Sequence, residues 1–366
     1  QFAGMRAMTD AVVGPEGDQI PAFAFSGFQA AFAIIAVALI SGAVADRMKF
    51  SSWVVFSALW ATLCYFPAAH WVFAFDGLTA THGGWIANQV KAFDFAGGTA
   101  IHINAGAAAL ALAVVIGPRI GFRTTPMRPH NLTLVMLGAG LLWFGWFGFN
   151  AGSALAANGL AAMVWVNTLV AAAAAMLGWL ATERIRDGNP TSLGAASGLV
   201  AGLVGITPAC AVVTPLGAIA IGALTGVCCA CALGLKFRFG VDDALDVVGV
   251  HLVGGIVGTL AIGLFAKGSL SGGHAGLLYG GGLDQLGRQA LGAVAVLAYS
   301  LVLSFAIAKA IDATMGLRID AKAESAGIDL GEHAESGYDL SRVQYSSYSK
   351  SIVVPRTPDP KERIDA

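Results

Sequence analysis

From Asn131 to Thr182 the chain runs for 52 residues without one charged side chain. A second uncharged run extends from Gly188 to Leu235. A helix crosses a bilayer core in roughly 20 apolar residues. The first run is therefore too long for one crossing and must turn back near 150–159, and the segment from Thr207-Pro208 to Thr214-Pro215 turns the second. Only 12% of the residues are charged, against about 25% in a soluble domain, so a water-soluble fold is excluded. The apolar runs are continuous, unlike the alternating ten-residue strands of a membrane barrel. The 48 glycines suit helices that approach one another closely.

Nine spans follow from the same criterion: 21–45, 51–75, 96–117, 131–153, 159–182, 191–207, 215–236, 246–266 and 288–316. Alternate connections carry Arg47 and Lys49, then Arg119, Arg123 and Arg128, then Arg184 and Arg186, then Lys236 and Arg238, then Arg318 and Lys322. The intervening ones hold Lys91, none, none, then Lys267 and Arg288. Cytoplasmic loops concentrate Lys and Arg, so the first set and the C-terminal tail are expected in the cytoplasm and residues 1–20 outside. The expected division is an outer loop at 1–20, a membrane domain at 21–316 and a cytoplasmic tail at 317–366, whose final part, 345–366, has a disordered composition. The chain opens on Gln1, and segments upstream of it are expected.

Two histidines lie inside spans. His102 follows Asp94 in Asp94-Phe95-Ala96-Gly97-Gly98-Thr99-Ala100-Ile101-His102-Ile103-Asn104, and His251 follows Asp246 in Asp246-Val247-Val248-Gly249-Val250-His251. Ionisable groups at membrane depth are costly and by default functional. The third span runs inward and the eighth outward, so the histidine helices are antiparallel and five helices apart. That is the footprint of an inverted repeat with a site at its midplane. The fold expected is an all-α integral membrane protein of inverted five-helix repeats plus one extra helix. Asp94 and Asp246 sit where helix N-caps belong and are read as structural groups at the mouths. The five cysteines show no metal-ligand spacing and are read as small apolar fillers. On residue type alone, a bis-histidine haem is an alternative use of the pair.

The two histidine motifs, the stretch Gly145-Trp146-Phe147-Gly148-Phe149-Asn150-Ala151-Gly152-Ser153, the stretch Gly205-Ile206-Thr207-Pro208-Ala209-Cys210 and the Asp242-Asp243 pair together resemble the ammonium transporter (Amt/Mep/Rh) family, in its bacterial Amt branch. The resemblance runs from about residue 21 to about residue 340. It implies a fold of eleven membrane helices, of which about nine are present, and ammonium or ammonia as the substrate. His102 and His251 resemble the paired pore histidines, Phe32 and Phe149 the stacked rings of the outer gate, and Asp94 the aspartate that holds the outer mouth. Ser153 resembles part of the ammonium-recruitment site. Phe73, in His70-Trp71-Val72-Phe73, stands where the family has Trp, which implies a weaker cation–π contact. The resemblance further implies a plasma-membrane homotrimer with one pore per subunit and a PII-type signalling protein at the cytoplasmic face. Neither a cofactor nor a nucleic-acid partner is implied, nor is the chain an enzyme. A neutral-gas channel of the Rh type, for ammonia or carbon dioxide, is the competing reading, and Phe73 is the feature that leans toward it.

Overall fold

The computed structural model describes residues 5, 8–14, 19–77 and 79–338. Much of the tail, including 345–366, lies outside them. The chain forms two compact units, residues 1–319 and 320–366. Within the expected outer loop, Val12–Val13 and Ile20–Pro21 pair as a short antiparallel ladder. The second unit holds two short helices, Ala321–Ala326 and Ile328–His333.

All nine spans appear as helices in the first unit. Eight are long and apolar enough to cross a membrane. The ninth, α7, is introduced below and is only 15 residues long. In order they contain α1 (Ala22–Val44), α2 (Phe50–Trp60) continuing into α3 (Phe66–Phe73), α4 (Asn104–Ile116), α5 (Leu132–Ala151), α6 (Gly159–Arg186), α7 (Ser192–Ile206), α8 (Pro215–Phe239), α9 (Val253–Phe265) and α10 (Asp284–Met315). Breaks fall where local chemistry favours them. Asn131, Asn158, Thr191 and Thr214 each accept a backbone N–H at a helix start, the standard use of a short polar side chain there. Pro215 occupies the first turn of α8, where its missing N–H costs nothing.

Among the described residues four segments form a π-helical turn, and two of these turns carry the histidines: Gly98–Ile103 leads into α4 and Val248–Leu252 into α9. Such turns are rare and concentrate at functional sites. The two segments run antiparallel, as the charge pattern predicts. Thr99 meets Thr259, the backbone of Gly106 meets Leu252, and Arg119 meets Asp242. Glycine permits this approach. A Cβ at Gly106 would stand 2.5 Å from the Leu252 nitrogen, and one at Gly255 would stand 3.0 Å from the Gly98 oxygen. Gly106→Val is therefore expected to abolish recovery of folded protein in a detergent-extraction and size-exclusion assay.

At the end of the bundle where α1 meets α2, Arg47 is fully buried and ties three loops together. Its guanidinium donates to the carbonyls of Gly117 and Asp242, at 2.9 and 2.5 Å. The strand-like segment after α10 closes the same end. Ile319 N–H donates to Arg47 O, and Lys49 N–H to Leu317 O.

Candidate functional site

Asp94 is buried where the first histidine segment begins. One carboxylate oxygen accepts from the N–H groups of Gly97 and Gly98, both at 2.7 Å. The other accepts from Thr99 at 2.7 Å and Ala100 at 3.0 Å. All four free N–H groups at this helical start are thus satisfied by one side chain. Gly97 has φ +121°, a conformation that glycine adopts without strain, and it bends the chain so that the carboxylate reaches all four.

The expectation for Asp246 is corrected. Its own φ is +62°, and its carboxylate forms an ion pair with Lys236 on α8 at 2.5 Å instead of capping the helix. The cap is Asp243, whose oxygens accept from Val247 N–H at 3.0 Å and Val248 N–H at 2.7 Å. The sequence carries the signal: Asp94 and Asp243 each stand eight positions ahead of their histidines, whereas Asp246 stands five ahead. Burial and the neighbouring charge of Asp246 push the Asp243 carboxyl up to about 6, against the pull of the two N–H groups and Lys236. Asp242 behaves oppositely. Although burial raises it, the hydrogen bonds and charge of Arg119 prevail and hold it below the usual carboxylate range.

A linkage prediction follows for Asp243. The folded state holds this proton more tightly than the unfolded chain does, so the group's contribution to stability falls as pH rises from about 4 to about 6 and then levels. Relative to Asp243→Asn, which cannot titrate, the wild-type protein is expected to lose melting temperature over that window. A constant difference between the two proteins from pH 4 to pH 7 would refute it.

The histidines meet. His251 Nδ1 lies 3.2 Å from His102 Nδ1, with ring centroids 5.3 Å apart and planes 21° apart. His102 is fully buried and His251 is 7% exposed. Their contact is direct, nitrogen to nitrogen. His102 Nε2 is buried and has no hydrogen-bond partner among the described residues.

Aromatic rings continue this axis. Phe149 lies 6.0 Å from His102 with planes 17° apart. Phe32 lies 4.6 Å from Phe149, but at 73°, and Phe28 packs on Phe32 at 88°. The rings of Phe32 and Phe149 are thus edge to face, not stacked as expected. That geometry matches the positive edge of one ring to the negative face of the next.

Trp146 was not singled out by sequence reasoning, yet it stacks on His102 at 5.5 Å and 14°. It forms the wall beside the pair. Its indole N–H donates to Thr207 Oγ1 at 2.9 Å, that hydroxyl lies 3.3 Å from Asn150 Oδ1, and Asn150 Nδ2 donates to Thr168 Oγ1 at 3.1 Å. This fully buried chain joins α5, α6 and the end of α7. Its clue in sequence was Asn150 and Thr168, polar residues inside apolar runs.

Phe73 packs beside Val72, Ile86, Ala100 and Val296. Ser153, in a 3₁₀ turn at the end of α5, donates its hydroxyl to Phe149 O at 2.9 Å. All five cysteines are free, as expected for fillers.

The sequence profile of the Ammonium Transporter Family matches residues 2–338. An ammonium transporter of Mycobacterium tuberculosis (strain H37Rv) is 60% identical over 354 residues, covering 95% of this chain and 73% of the relative. One of Bacillus subtilis (strain 168) is 44% identical, covering 89% and 78%. Among solved structures, a Sensor Amt Protein superposes with a TM-score of 0.77 at 32% identity, covering 85% of this chain and 76% of that one. Saccharomyces cerevisiae Mep2 gives 0.75 at 34%, covering 83% and 68%. Two antiparallel capped histidine segments, their ring column and a family likeness over most of the chain place it in one lineage: it belongs to the ammonium transporter family.

Proposed function

We propose that the protein moves ammonium or ammonia across the membrane through the axis defined by Phe32, Phe149, His102 and His251. The observation that carries this reading is the direct Nδ1–Nδ1 contact of two buried histidines beneath a column of rings. The relatives' names favour ammonium transport over a neutral-gas channel.

The geometry supports a proton-sensitive filter. Bare ammonium is too costly to pass through an apolar path, whereas neutral ammonia is not. A single proton shared between the two Nδ1 atoms gives the remaining ring nitrogens opposite roles: one Nε2 accepts and the other donates. Ammonia, which both donates and accepts, can be handed along such a pair, and a proton can follow through the rings. Potassium has no proton to give up, so it is excluded by chemistry rather than size. In this reading Asp94 shapes the outer mouth, Phe32 and Phe149 gate it, and Phe73 with Ser153 recruits the cation.

The direct test is electrical. Proteoliposomes given an ammonium pulse should pass a saturable current, and a potassium pulse none. Equal currents from the two ions would sink the reading. Phe73→Trp is expected to lower the half-saturating ammonium concentration about 2- to 5-fold, the worth of ~0.5–1 kcal/mol in an exposed cation–π contact.

The assembly and its setting belong to the same reading. The membrane domain spans 21–316 and the tail 317–366, with the C-terminus in the cytoplasm of a plasma-membrane homotrimer. A PII-type partner would dock at that face. Crosslinking of full-length protein in membranes tests the trimer.

A further inference from the structure

The outer mouth is anchored from an unexpected quarter. Gln289, on α10, is fully buried. Its carbonyl oxygen accepts from Phe93 N–H at 2.6 Å and from Gln285 Nε2 at 2.9 Å. Its amide nitrogen donates to Phe93 O at 2.7 Å and to Thr259 O at 3.2 Å. A primary amide can make four hydrogen bonds, and Gln289 makes all four. Two of them go to the N–H and C=O of one residue, which also fixes which way round the amide lies.

That residue directly precedes Asp94. On its other side, Phe95 N–H donates to Pro208 O at 3.1 Å. Asp94 is therefore strung between two anchors, both supplied by the second half of the chain. The second donor arm of Gln289 holds α9, the helix that follows His251, and α9 in turn presents Thr259 Oγ1 to Thr99 Oγ1 at 3.4 Å. One side chain thus ties the mouth loop, the second histidine helix and α10 together.

We propose that Gln289 is a positioning residue for the outer mouth: by gripping both polar groups of Phe93 it sets where the Asp94 carboxylate sits, and so the geometry of the first histidine segment. This rests on the reading that Asp94 shapes the mouth. Gln289 touches no substrate; it acts through Asp94.

The test uses the full chain in proteoliposomes, with currents normalised to folded protein. Gln289→Met keeps the length and removes all four hydrogen bonds. It is expected to lower the ammonium-evoked current at least 10-fold. Gln289→Glu gives the distinguishing readout. A protonated carboxyl has one O–H and one C=O and can grip Phe93 as the amide does, whereas a carboxylate cannot donate. The ratio of Gln289→Glu current to wild-type current should therefore be near one at pH 5 and fall several-fold by pH 8. The charged or titratable groups around the site are Asp94 and Lys91 on the mouth loop, Asp284 and Arg288 on α10, and His274, whose ring packs 5.8 Å from that of Phe93. All are common to both proteins, so taking the ratio removes their own titration to first order. Ser304→Ala, which removes a buried α10 bond to Trp60 at the far end of the helix, should leave the current unchanged.

Wild-type current in Gln289→Met overturns the proposal, as does a pH-independent ratio for Gln289→Glu. So does an equal loss of current in Ser304→Ala, because any damage to α10 would then suffice. If Asp94→Ala itself keeps wild-type current, it is the mouth reading that fails. If Asp94→Ala is inactive while Gln289→Met is normal, only the role of Gln289 fails.

Discussion

Asp94→Ala is expected to abolish ammonium-evoked current and to destabilise the protein by about 3–5 kcal/mol, the cost of removing one side of a buried, charge-assisted cluster. Four N–H groups, those of Gly97, Gly98, Thr99 and Ala100, lose their only described acceptor together. Each buried donor left unmade costs ~1–3 kcal/mol, and rearrangement of the turn recovers part of the total. The turn that recovers is no longer the turn that aims His102. Asp94→Asn separates the two effects. Its remaining oxygen can still serve Gly97 and Gly98, but its amide group faces the Thr99 and Ala100 donors. Stability should lie between those of the wild type and Asp94→Ala, while current stays low. Melting temperature and current measured on the same preparations decide this. An Asp94→Ala protein with wild-type melting and current would refute the account of the mouth.

His102→Ala is the second large effect. The ring touches three neighbours: Trp146, Phe149 and His251. Deleting it opens a void among them and leaves His251 without its Nδ1 partner. The helix itself keeps its cap and its close contact at Gly106, so the fold should survive with a loss of ~2–4 kcal/mol, typical of a buried large-to-small change. Selectivity should not survive. On the proposed mechanism the hydrogen-bonded pair is where proton and ammonia part company, so without it either transport stops or potassium enters. Unchanged ammonium current together with unchanged potassium exclusion would sink the mechanism. His251 has fewer described ring neighbours, so His251→Ala should cost less stability than His102→Ala.

Much of this architecture was legible in the sequence because membrane insertion imposes a coarse rule on composition. Uncharged runs mark the spans, and the alternation of Arg and Lys gives the antiparallel sense that Thr99–Thr259 and Arg119–Asp242 show. Even α7 is marked, by Thr191 at its start and Thr207-Pro208 at its end. The wrong aspartate was assigned for a physical reason. Asp246 is nearest the apolar run, and a cap is expected at the boundary. The chain instead turns through a positive φ at Asp246, which sends that carboxylate to Lys236 and lets Asp243 reach back to the free N–H groups. Trp146 was hidden because an indole near a helix end reads as an interfacial anchor, and only packing reveals that it faces a histidine. The Gln289 grip joins residues 196 positions apart in the chain, and no local pattern announces such a contact. The tilt of Phe32 against Phe149 is equally a matter of tertiary packing.

The π-helical turns have one further consequence. A π turn is what an α-helix becomes when it gains one residue while its two ends keep their registers. Both histidine segments hold that surplus, each ahead of or around its histidine, and each is opened by an aspartate at the same distance. Removing a single residue from 98–101 would return the first segment to α-helical winding and swing His102 by about 100° around the helix axis, away from its partner. The pairing of His102 with His251 thus depends on one extra residue in each of the two segments.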